Sequence, residues 1–181
     1  MMIKKKSKIH KYIVIPLGIL LLLNMLAFYS PLNPYNTKAI LNSAQGVQIP
    51  DIMVFYSPDQ LFQFLTQIQE TGRNAFQGLH RTVDLSFPII YSLFFFYILQ
   101  WQVGIIGKPR SFLPWISILA GGFDLVENFT LFYITSQFPS FLHDLSIIAQ
   151  VITIIKFALI LTCILIILIM LWKSIIKNRN Q

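Results

Sequence analysis

Four long runs of apolar residues, separated by polar segments, set the pattern of this chain of 181 residues. A helix rises about 1.5 Å per residue, so each run is long enough to cross a hydrocarbon core of about 30 Å, although the first run only just reaches that length. The fourth run exceeds that length, and we expect it to tilt or protrude. The pattern predicts an all-α fold, a polytopic membrane four-helix bundle that forms a single integral membrane domain over residues 1–181. The predicted spans are residues 12–29, 85–106, 112–135 and 145–172.

The composition and the placement of charge agree with a membrane protein. Hydrophobic residues make up 55% of the chain and charged residues 12%, whereas soluble domains carry about 25% charged residues. The net charge of +7 does not indicate a nucleic-acid partner, because the basic residues flank the apolar runs. Lysine and arginine mark the cytoplasmic side, so we expect a multi-pass protein of the cell (plasma) membrane with both termini in the cytoplasm. The flanking residues are Lys4, Lys5, Lys6, Lys8, Lys11, Lys108, Arg110, Lys173, Lys177 and Arg179.

The basic start followed by an apolar run also fits a signal peptide. A cleaved signal ends with small residues at alternate positions, and Phe28 and Tyr29 are bulky where such residues belong. We therefore expect an uncleaved membrane anchor.

The first outer loop, residues 30–84, is predicted to be too short and too polar for an independent core. Residues 47–56 favour an extended segment, which Pro50 restricts to an edge. Ser57 and Gln60 form a capping-box pattern around Pro58, so a helix is predicted to begin here. Apolar residues follow at helical spacing, and we expect an amphipathic helix on the membrane surface or against the bundle. They are Leu61, Phe62, Phe64, Leu65 and Ile68.

Three polar residues interrupt the third apolar run. Asp124, Glu127 and Asn128 are spaced i, i+3 and i+4, so they share one helix face. A carboxylate at membrane depth costs several kcal/mol, on the order of 3 by insertion scales. Each therefore needs a partner, a proton or a polar cavity. Gly121 and Gly122 allow another helix or a ligand to approach the backbone.

Depth along the helices predicts a partner for one carboxylate. Counted from Phe112, Glu127 lies about 22 Å into the membrane. Counted from Trp172 on the next helix, Lys156 lies about 24 Å from the same side. An ion pair between Glu127 and Lys156 is therefore predicted, since either charge alone is too costly. Asp124 has no evident cation, and we expect it to be protonated or solvated by trapped water.

The second run adds a polar stripe if its helix continues through the membrane surface. Arg73, His80, Asp84 and Tyr91 return to nearly one angle at 100° per residue. Pro88 lacks the N–H that would bond the Asp84 carbonyl, so one free acceptor and a kink are predicted. These residues predict an outward-facing polar pocket inside the bundle. Its candidate binding residues are Arg73, His80, Asp84, Tyr91, Asp124, Glu127, Asn128 and Lys156.

Several of these residues also have a purely structural interpretation. The Glu127–Lys156 pair could fix helix register, and Arg73 could bind lipid phosphate. His80, close to the surface, fits a solvated residue better than a catalytic one. No metal site and no catalytic signature of known type is present in the sequence, and no cofactor is predicted.

A set of short motifs resembles small bacterial four-span membrane proteins. The resemblance covers roughly residues 45–130 and implies the membrane layout rather than an activity. The motifs are Ile49-Pro50-Asp51, Tyr56-Ser57-Pro58, Thr71-Gly72-Arg73, the group Asp84, Phe87, Pro88 and Tyr91, and the group Asp124, Glu127 and Asn128.

Three functions remain open from the sequence. The first is a module that binds or moves a lipid-like or small amphipathic ligand. Because four helices are few for a transporter, this would imply membrane lipids and a second copy or another membrane protein as partners. The second is an acid–base enzyme in which Asp124 is the acid, Glu127 or Asp84 the base, and Tyr91 or His80 an accessory donor. The third is a structural or assembly protein without a ligand.

Overall fold

The computed structural model describes residues 2–42, 47–106 and 111–179. Within these ranges the chain forms seven α-helices and a short 3₁₀ turn, Pro50–Ile52, and it contains no strand. The predicted all-α fold is confirmed. The helices are α1 (Met2–Tyr29), α2 (Thr37–Leu41), α3 (Pro58–Gln67), α4 (Gln69–Arg81), α5 (Val83–Ile106), α6 (Trp115–Ser136) and α7 (His143–Arg179).

Among the residues that the structure describes, three stretches of helix are long and apolar enough to cross a membrane. They are Tyr12–Tyr29 in α1, Gln69–Gly104 across α4 and α5, and His143–Lys173 in α7. The helix α6 is not one of them, because its carboxylates and asparagine lower its mean hydropathy. It packs instead against both α5 and α7, so the polar residues of α6 lie inside the helical assembly.

The buried face of α6 explains how the helix carries polar residues. Its buried positions recur every three or four residues, as expected for one helix face. Gly121 lies on this face and allows α6 to approach α5 closely. A Cβ at Gly121 would lie 2.7 Å from Ser92 Cβ and 2.9 Å from the Pro88 carbonyl oxygen. The buried residues of α6 are Ser117, Ala120, Gly121, Asp124, Glu127, Asn128, Leu131, Ile134 and Thr135.

The helix α1 packs along α5. Asn24 Nδ2 donates a hydrogen bond to Ser86 Oγ at 2.5 Å. Gly18 lies under the ring of Phe94, where a Cβ would lie 3.1 Å from Cε2. Within residues 12–29 of α1 most large side chains are exposed, so this part of the helix covers one side of α5 and leaves its own outer surface apolar and accessible.

Residues 30–82, which we call the cap segment, cover one end of the bundle. The predicted capping box is confirmed, since Ser57 Oγ accepts from the Gln60 amide and Gln60 Oε1 accepts from the Ser57 amide. The segment's apolar residues form a shared core with α6 and α7 rather than lying only on a surface. Part of the predicted extended stretch is instead the 3₁₀ turn at Pro50. The core includes Ile40, Tyr56, Leu61, Phe64, Leu65, Phe76, Leu79, Leu131, Ile134 and Ala149.

The two adjacent glycines of α6 provide a matched test of this packing. Gly121→Ala would push a methyl group into Ser92 and the backbone of α5, and we expect a loss of about 1–3 kcal/mol in stability. Gly122→Ala meets no atom within 4 Å, so better helix propensity should raise stability by about 0.5–1 kcal/mol. Thermal unfolding in detergent measures both. Equal effects of the two substitutions would contradict the close α5–α6 approach.

Candidate functional site

A buried ion pair joins α6 to α7. Glu127 is 0% exposed and Lys156 is 6% exposed. One carboxylate oxygen of Glu127, Oε2, pairs with Lys156 Nζ. The other, Oε1, accepts a hydrogen bond from Thr153 Oγ1. The predicted pair is confirmed, and both oxygens of Glu127 are engaged by α7.

The same lysine also faces Asp124. Lys156 Nζ lies 3.5 Å from Asp124 Oδ1, and the buried side chain of Tyr91 lies close to this carboxylate. The sequence indicated no cation for Asp124, and that expectation was wrong. Asp124 and Glu127 lie one helical turn apart, so the flexible lysine stem reaches both carboxylates from the facing helix.

A second acidic residue is paired with histidine where α4 meets α5. His80 Nδ1 lies 2.6 Å from Asp84 Oδ2. His80 is only 3% exposed, and its ring packs edge-on against Phe76 at 4.4 Å. The expectation of a solvated His80 was therefore wrong, because the cap segment covers this residue. The helix axis breaks at Thr82, yet His80 and Asp84 still meet across the break.

Asn128 uses the backbone acceptor that Pro88 leaves free. Asn128 Nδ2 donates to the carbonyl oxygen of Asp84 at 2.8 Å. An α-helix residue four positions after Asp84 would normally occupy this carbonyl, but proline has no N–H. The predicted free acceptor is confirmed, and its partner is a side chain of α6. This bond ties α5 to α6 beside the ion pair.

Arg73 has different partners from the other predicted site residues. Its Nη1 donates to the carbonyl oxygen of Leu65 at 2.8 Å. Its guanidinium lies 4.1 Å from the ring centre of Phe138 in the α6–α7 connection. Arg73 therefore attaches α4 to its neighbours near the cap segment. It does not join the polar group, by which we mean the side chains of His80, Asp84, Asp124, Glu127, Asn128 and Lys156.

Two residues next to the polar group were missed from the sequence. The Thr153 hydroxyl lies 3.3 Å from the hydroxyl of Tyr56, a fully buried residue of the cap segment. The contact joins residues 97 positions apart, and no local pattern indicates it. Thr153 had a weak signal, since it precedes Lys156 by three residues and so shares its helix face. The cap segment thus reaches the ion pair through Tyr56 and Thr153.

A cavity of about 290 Å³ lies beside this group, between α1 and α7. Asp84, Asp124 and Lys156 supply its charged lining. Glu127, Asn128, Tyr91 and His80 lie behind these three through the contacts described above. The remaining lining residues are apolar or aromatic: Met25, Phe28, Tyr29, Ile52, Phe87, Phe157 and Ile160. Several of them are exposed at the rim of the cavity.

The arrangement can bind an amphipathic molecule, since one part of the cavity is charged and the rest is apolar. Within the described ranges, no three His, Cys, Asp or Glu side chains are grouped as metal ligands. A comparison with protein-family models, curated proteins and solved structures finds no match for this chain. The chemistry of the cavity is therefore what indicates a function, and the resemblance to four-span proteins stays a prediction.

A double-mutant cycle tests the ion pair. Glu127→Gln leaves Lys156 with Asp124, whereas Lys156→Met leaves two carboxylates uncompensated, so we expect the second change to cost more. Removing one partner of a buried pair costs about 3–5 kcal/mol, and the double variant should recover part of this loss. Thermal unfolding in detergent provides the measurement.

Asp144→Asn serves as a control, because the side chain of Asp144 is 99% exposed and its loss should change stability by less than about 0.5 kcal/mol. Additive effects of the Glu127 and Lys156 substitutions would show that the two residues do not interact.

Proposed function

We propose that this protein is a multi-pass membrane protein that binds, or helps to move, a lipid-like or small amphipathic molecule. The observation that carries the proposal is the cavity between α1 and α7. Asp84, Asp124 and Lys156 line one part of it, and apolar and aromatic side chains line the rest. Such a surface complements a molecule with a polar head and an apolar body.

The proposal includes a fourth span, α6. Its 22 residues are long enough for a hydrocarbon core. The polar face is buried, and the opposite face exposes Leu119, Val126, Phe129 and Tyr133. An apolar outer surface is what lipid requires of a spanning helix, and the buried pairing of its carboxylates removes most of the cost of inserting them.

In the proposed orientation both termini are cytoplasmic and the cap segment lies outside. The positive-inside rule supports this orientation, because lysine and arginine lie at the start of α1, at the end of α7 and between α5 and α6. Tyr29 is the last residue of α1 and Asp84 lies in the first turn of α5, so the cavity lies near the cap end of the bundle. The cavity would then open in the outer half of the plasma membrane, where a lipid-like molecule could enter between α1 and α7.

Acid–base catalysis is the second candidate. The observation in its favour is the His80–Asp84 pair, in which a buried carboxylate orients an imidazole at 2.6 Å. Against it, both oxygens of Glu127 are engaged, which leaves that residue poorly suited to act as a base. Turnover of a bound molecule by the wild type, lost in Asp84→Asn with binding retained, would favour the enzyme.

Filling the cavity tests the binding proposal. Native mass spectrometry of the solubilised protein should detect a bound molecule of lipid-like mass on the wild type. Ile160→Trp adds volume inside the cavity, so the variant should no longer carry the bound molecule. Leu161→Trp, the next residue on α7, is 57% exposed and should retain it. Equal occupancy in the two tryptophan variants, or an empty wild type, would contradict the proposal.

Cysteine labelling tests the orientation. Cys163 is the one cysteine of the chain, and it is buried. In a Cys163→Ala background, Ser140→Cys between α6 and α7 should react with a membrane-impermeant maleimide on intact cells. Ser111→Cys, at the other end of α6, should react only after permeabilisation. The reverse labelling pattern would invert the topology, and labelling of both from outside would exclude α6 as a span.

A further inference from the structure

We infer that the cavity takes a ligand with a positively charged, ammonium-type head group. This inference rests on the proposed function and specifies its ligand class. Its basis is the balance of charge around the cavity. Three buried carboxylates, those of Asp84, Asp124 and Glu127, face one lysine and one histidine. With the carboxylates ionised, a net negative charge remains whether His80 is neutral or protonated.

The basic groups are already committed to carboxylates. Lys156 Nζ is paired with Glu127 and lies 3.5 Å from Asp124. His80 is paired with Asp84 at 2.6 Å. An anionic head group would have to compete with these carboxylates for Lys156, in a space where like charges repel strongly. The sequence suggested that Arg73 could bind lipid phosphate, but Arg73 has other partners, and Lys156 is shared between two carboxylates.

The hydrogen bonds of Asn128 leave one of its acceptors unused. Asn128 is 2% exposed, and its amide nitrogen donates to the Asp84 carbonyl. Its Oδ1 is buried and accepts from no donor among the described residues. A buried acceptor without a donor costs about 1–3 kcal/mol. Asn128 lies behind the lining of the cavity, so a ligand meets first the carboxylates of Asp84 and Asp124 at the cavity wall, and these favour a head group that donates.

The apolar part of the cavity selects among cations. Phe28, Phe87 and Phe157 contribute aromatic rings to the lining, and Lys156 Nζ already lies 5.1 Å from the ring centre of Phe157. Aromatic faces attract organic ammonium groups, more strongly when these are desolvated. A small inorganic ion would leave the apolar walls unused. The geometry therefore points to an amine that carries an apolar body.

The test compares three probes with the same body and different head groups. Phenylbutylamine is a cation at neutral pH, phenylbutyrate an anion, and phenylbutanol is neutral. Binding is measured by calorimetry on wild-type protein in lipid nanodiscs, with empty nanodiscs subtracted. We expect the amine to bind about tenfold more tightly than the alcohol or better, and the carboxylate to bind most weakly. This comparison needs no variant, so it does not depend on the folding of a mutant.

A matched pair of charge removals then locates the preference. Asp124→Asn should bring the ratio of amine affinity to alcohol affinity close to one. Asp144→Asn, outside the cavity, should leave the advantage unchanged. Equal binding of amine and alcohol by the wild type would overturn the cationic head group while leaving the amphipathic site. Tighter binding of the carboxylate would overturn the cationic head group in favour of an anionic one. If none of the three probes binds, both the cationic head group and the amphipathic binding site are overturned.

Discussion

The rest of the structure depends on the contacts of the Lys156 ammonium group with two carboxylates. Two carboxylates on one face of α6 would be too costly inside a low-dielectric assembly. Lys156 contacts both from α7, because its stem reaches across one helical turn between Glu127 and Asp124. The same contact fixes the rotation of α6 and α7 about their axes. A different register would separate three buried charges, so the alternative packings are strongly disfavoured.

The other helices are arranged around this cluster. The close approach at Gly121 brings α5 against α6, and Asn128 occupies the Asp84 carbonyl that Pro88 leaves unpaired. The cap segment closes the end of the assembly, with Tyr56 reaching Thr153 and Phe76 covering His80. Excluding water strengthens every electrostatic interaction inside. The charged lining of the cavity is therefore held in place by contacts from four parts of the chain, which suits a preorganised binding site.

The sequence was most informative where local geometry decides the outcome. Helical spacing placed Asp124, Glu127 and Asn128 on one face, rise per residue matched Glu127 with Lys156, and the chemistry of proline predicted the free Asp84 carbonyl. Contacts between distant segments were not accessible in this way. The burial of His80 and the role of Tyr56 depend on how the cap segment folds over the bundle. The sharing of Lys156 with Asp124 depends on a side-chain rotamer, and the separate position of Arg73 depends on its contacts with Leu65 and Phe138.

The most direct measurement is the distance between the ammonium of Lys156 and the carboxylate of Glu127. Glu70 and Glu127 are the two glutamates of the chain, and Glu70 is exposed, so a Glu70→Gln variant carries a single glutamate. Solid-state NMR of this variant, with isotope-labelled lysine Nζ and glutamate Cδ, reports that distance without interference. The structure predicts a dipolar coupling that corresponds to less than about 4 Å and that disappears in Lys156→Met. Absence of this coupling in the Glu70→Gln protein would contradict the shared ion pair and, with it, the proposed binding site.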